Sequence, residues 1–550
     1  MLNNLRLCLN PFSKKNSYTR VQNYANQVIS HLLQLPSTEI CAEPNQRGLV
    51  LGVYADSENK NDNGILTPAA WRYNVKSTEG RMLEVLRMSG PLPKIGEARI
   101  LFCVEPKKIP YYSAVAVVGL GKECLGYNSY EMIDERKEAI RRSVAEACMK
   151  LSDLFIDRIE VETCGHAESA GEGAALGIWA YQELKDNKQR LEVPSIELHT
   201  HKDEICDLDG WRIGLQKAAA QNFARQMQET PANFLTPTAF AEKVVEVLCK
   251  SGVNVEVKVE GWAESQQMNA FLAVGRASCE APIFLELTYY GGTRDDRPIV
   301  LIGQGITYDC GGLNLKNKEE LKQMRADMTG AAVVVATCKA ISALRLPVNI
   351  RALIPLCENV IGCNSFRPGD VVTCMNGKTI DIQGTDHEDV LVLADALLYA
   401  QNFCPKFIVD VGTTSGAMRQ TLDEAASGIF TNSEILWQQI KHASIHTGDR
   451  VWRFPLWNYY TRLVTGCEAS DVQNYGMGTG GNPCKAAAFL RQFVPCGQWM
   501  HIDATNVMYT SGKDFHYLRP GMSGRPTRTL IEFIAQTVCK ESAPKINNQR

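Results

Sequence analysis

The N-terminal part of the chain alternates short apolar runs with amphipathic stretches. The apolar runs have the length of strands and predict three of them, at Gly48–Tyr54, Arg99–Val104 and Ser113–Val118. Between residues 131 and 151 the apolar positions instead recur at helical spacing, as in Ile140, Val144 and Cys148. This spacing predicts a helix over Glu131–Leu151.

From Thr230 onward, apolar runs of strand length alternate with longer segments of helical periodicity. The predicted strands are Val253–Val259, Ile299–Ile302, Val348–Ile354, Thr379–Ile382 and Phe407–Val411. The predicted helices are Thr329–Leu344, Leu391–Gln401 and Glu434–Thr447. Regular alternation of strands and helices predicts an α/β domain with a largely parallel sheet.

The length of the chain predicts two domains, because 550 residues exceed what one ordinary hydrophobic core organises. A polar and charged stretch, Leu184–Leu208, separates the two patterned parts and leads into a helix that links them. We therefore divide the chain into a basic N-terminal segment (1–40), an N-terminal α/β domain (41–205), a linker helix region (206–230) and a C-terminal domain (231–550).

Composition and charge are those of a soluble globular protein, with 45% hydrophobic and 22% charged residues. The net charge of −3 favours neither nucleic acid nor an acidic membrane as a partner. The best candidate for a membrane span, Ala331–Leu356, is interrupted by Lys339, Arg345, Asn349 and Arg351. The 19 cysteines form no C-x-x-C pair, which indicates reduced thiols in an intracellular compartment.

The first 38 residues contain basic side chains but no acidic one, and several leucines give them an apolar side. This composition is typical of a mitochondrial targeting peptide. A merely basic tail on a cytoplasmic protein explains it equally well. A mitochondrial location is therefore expected, with a cytoplasmic one as the alternative.

Acidic side chains follow the predicted strands of the C-terminal domain, at the edge where ligands gather in such sheets. Asp309 follows one strand, and Asp327 stands just ahead of a predicted helix. Asp386 and Glu388 follow another strand and, being two residues apart, would point the same way in an extended segment.

Two explanations fit these four carboxylates. Asp327 and Glu388 lie near helix N-termini, where either one alone can serve as a capping residue. If all four carboxylates converge, they need cations, because like charges raise one another's pKa and repel. Two divalent metals bridged by carboxylates, a common arrangement for amide hydrolysis, would neutralise them.

A series of ordered motifs resembles the leucyl aminopeptidase (cytosol aminopeptidase) family. The segment Gly305–Asp327 is similar to the family signature G-I-T-[FY]-D-[ST]-G-G-x-x-[IL]-K followed by M-R-x-D-M, with Cys310 at the hydroxyl position. Further matching segments are Glu229–Asn233, Pro355–Asn359, Pro368–Asp370, Asn376–Thr379 and Gly521–Arg528. The resemblance is dense over residues 210–540. It implies a smaller N-terminal α/β domain and a C-terminal α/β domain with a mixed, largely parallel sheet flanked by helices.

The resemblance also implies a role for each carboxylate. Asp309 and Glu388 would bridge two divalent metal ions, Zn²⁺ or Mn²⁺ (Mg²⁺ also serves in the family). Asp327 would complete one metal site and Asp386 the other.

The same resemblance implies a site for a peptide's N-terminal residue. Lys316 would help to polarise the peptide carbonyl and steady the oxyanion. Met324, Thr413 and Gly416 would help to form the pocket for the N-terminal side chain. Because members of the family assemble as homohexamers, a homohexamer is expected here.

Two family residues with chemical roles are changed. Gln304 stands where the family has a lysine whose neutral amine binds a metal, and an amide oxygen is a weak ligand for Zn²⁺. Val390 stands where the family has an arginine that holds a bicarbonate ion serving as general base, and valine cannot clamp an anion. The loss of a positioned base typically costs ~10²–10⁴ in rate. Gly384 and Asp389 also change this loop.

His387 is a candidate replacement base, since the free pKa of histidine lies in the working range. It alternates with Asp386 and Glu388, however, and in an extended segment it would point away from the metals. We therefore interpret it as a loop or packing residue. Thr414 replaces a leucine of the family in the stretch after the strand that ends near Val411.

Two functions of different classes follow. The first is a member of the family with the metal pocket kept and catalysis impaired, serving a structural or assembly role. The alternative is an active metal-dependent aminopeptidase that releases apolar N-terminal residues from peptides. The altered positions make the chain similar to the degenerate leucyl aminopeptidase-like proteins of insect sperm, which favours the first.

Overall fold

The computed structural model describes residues 46–55, 64–107, 110–200 and 207–539. The basic segment 1–40, for which a targeting role was predicted, lies outside these residues. The sheets and helices below therefore refer to the described ranges.

The strands fall into two main sheets and three small ones. In chain order they are β1 (Arg47–Tyr54), β2 (Ile65–Leu66), β3 (Ala98–Phe102), β4 (Ala114–Gly119), β5 (Tyr127–Asn128), β6 (Ile133–Asp134), β7 (Arg158–Val161), β8 (Ser195–Leu198), β9 (Asn254–Val259), β10 (Ile283–Tyr290), β11 (Ile299–Gly303), β12 (Gly305–Asp309), β13 (Asn349–Asn359), β14 (Val371–Thr373), β15 (Thr379–Asp381), β16 (Ile408–Gly412), β17 (Ser427–Thr431), β18 (Val451–Arg453), β19 (Val472–Gln473), β20 (Trp499–Asp503), β21 (Tyr509–Thr510) and β22 (Gly521–Met522).

The helices lie between these strands and cover the sheets. In chain order they are α1 (Pro68–Lys76), α2 (Arg81–Met88), α3 (Glu135–Asp153), α4 (Ala167–Ile178), α5 (Leu208–Glu229), α6 (Pro237–Leu248), α7 (Glu260–Ser265), α8 (Asn269–Gly275), α9 (Lys318–Leu321), α10 (Thr329–Ala343), α11 (Asp389–Ala400), α12 (Ala417–Leu422), α13 (Glu434–Thr447), α14 (Asn458–Thr465), α15 (Asn482–Arg491) and α16 (Thr527–Val538).

The N-terminal sheet has the order β3-β4-β1-β7-β8, with β2 beside β1. Strand β4 is apolar and buried along its whole length, as expected for a central strand covered on both faces. Helix α3 packs against this sheet and begins at the N-cap Asp134, whose side chain accepts a hydrogen bond from the Lys137 backbone. The predicted start at Glu131 is wrong, because residues 133–134 form the short strand β6 instead.

The C-terminal sheet has the order β18-β17-β20-β16-β11-β13-β10-β9, with β12 continuing beside β13. The central pairs among β20, β16, β11 and β13 are parallel, whereas β10 pairs antiparallel with both β13 and β9. Strand β17 is antiparallel to β20. The predicted mixed, largely parallel sheet flanked by helices is confirmed.

The two faces of this sheet have separate hydrophobic cores, as the alternation along β11 shows. Ile299 and Leu301 belong to the core beneath α5, α10 and α16, whereas Val300 and Ile302 belong to the core beneath α8, α11 and α15. The linking helix α5 packs against α4 of the N-terminal part and against α10 of the C-terminal part. The sheet is therefore held from both sides, and its strand ends are fixed relative to α10 and α11.

Two further properties concern the described residues only. None of their helices is both long and apolar enough to cross a membrane. Their cysteines are free thiols, some buried and some exposed.

Candidate metal centre

Asp309 ends strand β12, which continues from the central strand β11 after Gln304. Its Oδ1 accepts hydrogen bonds from the Gly311 backbone N–H at 2.6 Å and from Asn359 Nδ2 at 2.8 Å. Gly311 has a φ of +88°, and a Cβ atom there would lie 2.4 Å from the Asn314 carbonyl oxygen, so this turn requires glycine. The turn and β13 together fix the direction of the Asp309 carboxylate.

Asp327 follows a short 3₁₀ turn, Met324–Ala326, and precedes helix α10. Its Oδ1 accepts a hydrogen bond from the Thr413 hydroxyl at 2.8 Å, and its Oδ2 accepts one from Gln304 Nε2 at 3.1 Å. The partners come from the ends of β11 and β16. The carboxylate thus lies at the carboxyl edge of the sheet, where the sequence predicted a ligand site.

Glu388 immediately precedes α11 and is fully buried. Neither Oε1 nor Oε2 has a hydrogen-bond partner among the described residues. The side chain makes no capping bond to α11, so the capping explanation does not account for it. A buried carboxylate with no donor is costly, and such a group calls for a cation.

Three of the four expected ligands come together. Asp309, Asp327 and Glu388 can each offer an oxygen such that the three atoms lie within 4.8 Å of one another. Asp386 is outside this group and lies in the wall of the adjoining cavity. The segment that carries Asp386 and Glu388 is not extended as predicted, because Thr385 and Asp386 form a turn and Glu388 has helical backbone angles.

Lys316 lies against this group from the loop after β12. Its ammonium group forms an ion pair with Asp309 Oδ2 and lies 3.6 Å from Met324 Sδ. Burial opposes the charge of Lys316, but Glu388 and Asp309 outweigh that effect and hold its pKa well above the usual value. The lysine is therefore a fixed positive charge at the entrance to the carboxylates.

Asp327, Asp386 and Asp389 line a cavity of about 370 Å³. Its walls also include Lys316 and the three expected pocket residues Met324, Thr413 and Gly416. Met324 also belongs to a small apolar cluster that continues into the protein. The cavity thus combines an acidic end with an apolar wall.

Burial and mutual repulsion perturb the acidic groups strongly. Burial raises the pKa of Asp327 to about 7, with Lys316 opposing the rise and Asp309 adding to it. Burial, Asp309 and Asp389 together raise the pKa of Glu388 well above its usual value. The carboxyl groups of Asp327 and Glu388 lack enough neighbouring positive charge for both to ionise easily. Divalent cations would supply that charge.

Gln304 is fully buried between the strand ends, and its amide is oriented by its neighbours. Its Oε1 accepts a hydrogen bond from the Thr413 backbone N–H at 2.7 Å, which a nitrogen could not do. Its Nε2 consequently points at the acidic group and donates to Asp327 Oδ2 and to Asp389 Oδ1. The amide presents hydrogens, and no free oxygen, to the candidate metal centre.

Asp389 is a further acidic residue of the centre, to which the sequence analysis gave no role. It is the first residue of α11, is 3% exposed, and lies in the cavity wall beside Asp327. Burial is the main cause that raises the pKa of Asp389 well above its usual value, and the Asp327 carboxylate raises it further. A carboxylate directly after Glu388 is visible in the sequence, but its contact with Gln304 depends on the meeting of the end of β11 with the start of α11.

Val390 is 1% exposed and belongs to the apolar core beneath α11. It does not line the cavity, and it offers neither a charge nor a donor. Among the described residues in the cavity wall, the lysine and arginine side chains are Lys316 and Arg419. Arg419 is exposed and donates to Gln323 at 3.2 Å, away from the carboxylates.

His387 lies in the cavity wall, outside the group of carboxylates that can share a metal ion. The two-residue alternation used to predict its direction does not hold, because Thr385 and Asp386 form a turn. The imidazole stacks on the ring of Tyr475, with 4.6 Å between the ring centroids, as a packing residue does. Burial lowers its pKa, with Asp386 opposing that effect.

The donor set is made of carboxylate oxygens, which suit Mg²⁺, Mn²⁺ and, in tighter geometry, Zn²⁺. Among the described residues, none donates a hydrogen bond to either oxygen of Glu388, so this group of residues suits a divalent cation. Asp309, Asp327 and Glu388 can hold one such ion, and Asp386 lies in the wall of the adjoining cavity.

Comparison with known proteins identifies the same two regions. A family model described as the catalytic domain of the cytosol aminopeptidase family matches residues 222–531, and the model of that family's N-terminal domain matches residues 50–188. Both matches agree with the division of the fold into two sheets. The resemblance to leucyl aminopeptidases noted from the motifs is confirmed.

Relatives match over most of the chain. The cytosol aminopeptidase of Bos taurus is 44% identical over 491 residues, which cover 89% of this chain and 92% of the bovine protein. The cytosol aminopeptidase of Dictyostelium discoideum is 34% identical over 537 residues, or 95% of this chain and 98% of that protein. Among solved structures, the bottromycin maturation enzyme BotP in complex with Mn is similar, with a TM-score of 0.75, 27% identity, and coverage of 90% of this chain and all of the other.

Proposed function

This chain belongs to the cytosol aminopeptidase family, and we propose that it binds divalent metals in the family's pocket but is impaired in peptide hydrolysis. The observation that carries this proposal is the orientation of Gln304. Its amide oxygen is engaged by the Thr413 N–H, and its NH₂ group faces the carboxylates. The position therefore supplies a hydrogen-bond donor and no metal ligand.

The metal ions would be held by Asp309, Asp327 and Glu388, together with Asp386 from the cavity wall. When bound, such ions polarise a carbonyl group and stabilise the negative charge that develops on its oxygen. Lys316 pairs with Asp309 and lies in the cavity wall. From there its ammonium group would donate to the oxygen of a bound peptide carbonyl.

The ligand that suits the cavity is the N-terminal residue of a peptide. The acidic end, with Asp327 and Asp386, attracts the ammonium group of an N-terminus, while Met324 offers apolar contact to the first side chain. Thr413 and Gly416 complete that part of the wall. The chain can therefore keep peptide binding even where hydrolysis is slow.

Val390 supports impairment independently of Gln304. Its side chain is buried in an apolar core, so nothing at this position can hold an anion that acts as general base. The loss of such a base costs ~10²–10⁴ in rate. A structural or assembly role is consistent with a site of this kind.

The second candidate function is an active aminopeptidase. The retention of Lys316 and of all four expected carboxylates favours it, as does the 44% identity to the bovine enzyme. The two candidates differ in turnover and agree on metal binding, so turnover separates them.

The test is hydrolysis of leucine 4-nitroanilide by the full chain after loading with Mn²⁺. The natural chain is compared with a Gln304→Lys, Val390→Arg double variant and with a Glu388→Gln blank. We expect the natural chain to be close to the blank and the double variant to exceed it by at least ~10². Equal rates for the natural chain and the double variant, both far above the blank, would establish the active enzyme instead.

Assembly and location remain proposals. We propose a homohexamer, which native mass spectrometry of the full chain would test, with a monomer as the contrary outcome. For location, a fusion of residues 1–40 to a fluorescent protein would show mitochondrial signal if the segment is a targeting peptide and diffuse cytoplasmic signal if it is not.

A further inference from the structure

The first residue of helix α11, Asp389, is a buried carboxylate that the expected ligand set does not include. An acidic residue in the first turn of a helix is usually explained by the helix dipole or by capping. The Asp389 carboxylate instead accepts a hydrogen bond from the Gln304 amide, which lies at the end of β11. The helix terminus alone therefore does not explain why this side chain lies 3% exposed in the cavity wall.

The Gln304 amide cannot satisfy all the acceptors around it. Its Nε2 lies within hydrogen-bonding distance of the Asp327 carbonyl oxygen, Asp327 Oδ2, Asp389 Oδ1 and Thr413 Oγ1. An NH₂ group has two hydrogens, so at most two of these four acceptors receive a hydrogen from Gln304 at the same time. The two buried oxygens of Glu388, one residue from Asp389, also have no partner. Acceptor oxygens therefore outnumber hydrogen-bond donors around Gln304 and Glu388.

The formal charges of the site also indicate that it needs cations. Asp309, Asp327, Asp386, Glu388 and Asp389 carry five negative charges when ionised, and Lys316 carries one positive charge. Two divalent cations balance the remaining four charges. Without the fifth carboxylate, the same two cations would leave a net positive charge in a buried site, which is unfavourable.

We propose that Asp389 is a direct ligand of the metal pair and takes the coordination position that Gln304 cannot fill. This inference rests on the proposed function in that it requires the pocket to bind metals. Gln304 is then a positioning residue, because its NH₂ group lies between Asp327 and Asp389 and orients both carboxylates. The site becomes one of oxygen ligands only, which shifts its preference towards Mn²⁺ relative to a site that includes an amine nitrogen.

The test is the number and affinity of bound Mn²⁺ ions in the full chain, measured by metal analysis after equilibrium dialysis and by calorimetric titration. The variant is Asp389→Asn, which keeps the size of the side chain and its acceptor oxygen but removes the charge. The matched control is Asp395→Asn, a buried carboxylate on the same helix that accepts backbone hydrogen bonds from Ala270, Phe271 and Met375 outside the cavity.

We expect two Mn²⁺ ions in the natural chain and in Asp395→Asn. In Asp389→Asn we expect one of the two ions to bind at least about tenfold more weakly. Unchanged number and affinity in Asp389→Asn would overturn the inference and leave Asp389 as a hydrogen-bond acceptor for Gln304. No Mn²⁺ binding by the natural chain would overturn the proposed metal function and this inference with it.

A second pair of measurements guards against a variant that fails to fold. Asp389→Ser places a small polar residue that is well tolerated in a first helical turn, and it should show the same loss of Mn²⁺ affinity. In the Gln304→Lys, Asp389→Gly double variant, the amine should raise the Zn²⁺ affinity relative to the Mn²⁺ affinity at least about tenfold. An unchanged ratio of the two affinities would contradict the exchange of an amine for a carboxylate at this position.

Discussion

Replacing Gln304 by methionine tests the hydrogen-bond network at the centre of the acidic group. Methionine has a similar volume but can neither accept from the Thr413 N–H nor donate to Asp327 and Asp389. An unsatisfied buried N–H costs about 1–3 kcal/mol, and each lost hydrogen bond to a charged group costs about 1.5–3 kcal/mol more. The first cost applies whether or not metals are present.

The second cost depends on the metals, because bound cations compensate the two carboxylates. We therefore expect Gln304→Met to destabilise the metal-free chain by at least about 1.5 kcal/mol more than the Mn²⁺-loaded chain. Denaturant midpoints in EDTA and in Mn²⁺ measure this difference. Hydrogen exchange at the Thr413 amide, read by mass spectrometry, should accelerate in both states.

Gln228→Met is the matched control for this experiment. Gln228 is also fully buried, accepts from the Gly524 N–H at 2.9 Å and donates to Thr329 Oγ1 at 2.6 Å, but it lies outside the cavity. Its loss of stability should be the same with and without Mn²⁺. If Gln304→Met behaves like this control, the Gln304 amide does not serve the metal centre and the reasoning above is refuted.

Three further outcomes are expected. Removal of metal by EDTA should lower the thermal midpoint of the chain. Mn²⁺ should restore it, because the buried carboxylates that have no donor then regain a cation. An unchanged midpoint would argue against a metal site. His387→Ala should cost about 1 kcal/mol of stability through loss of the Tyr475 stack and leave the Mn²⁺ count unchanged; a lost ion would give His387 a ligand role. Burial opposes the ionisation of Glu172, but Arg528 and Arg141 lower its pKa from 4.5 to about 2. This shift adds on the order of 3 kcal/mol to the free energy of unfolding. The contribution is present above about pH 4.5 and is lost as the pH falls towards 2. Thermal midpoints between pH 6 and pH 2 should therefore fall more steeply for the natural chain than for Glu172→Gln, and parallel curves would contradict this.

Much of the fold could be predicted from the sequence, because periodicity is a local property. The helix Glu434–Thr447 was predicted with its observed bounds, and strand β11 within one residue. The antiparallel strand β10 was missed, since pairing direction depends on neighbours distant in the chain. The same limit applies to the extent of β13, which continues to Asn359 and there supports Asp309.

The candidate site was predictable only in part for a similar reason. The acidic residues could be named from motifs, and three of them do come together. The turn at Thr385 and Asp386 cannot be read from the motifs, and it removes the two-residue alternation on which the predicted direction of His387 depends. The role of Asp389 could not be anticipated, because its partner Gln304 is 85 residues away in the chain.

The most direct test of the central claim is to count Mn²⁺ ions and measure leucine 4-nitroanilide hydrolysis in one preparation of the natural chain, with Glu388→Gln prepared alongside. We expect bound Mn²⁺ in the natural chain together with a rate within about tenfold of the Glu388→Gln blank. A kcat in the ordinary enzymatic range of about 1–10³ s⁻¹ would contradict it. A natural chain that binds no Mn²⁺ would contradict it equally.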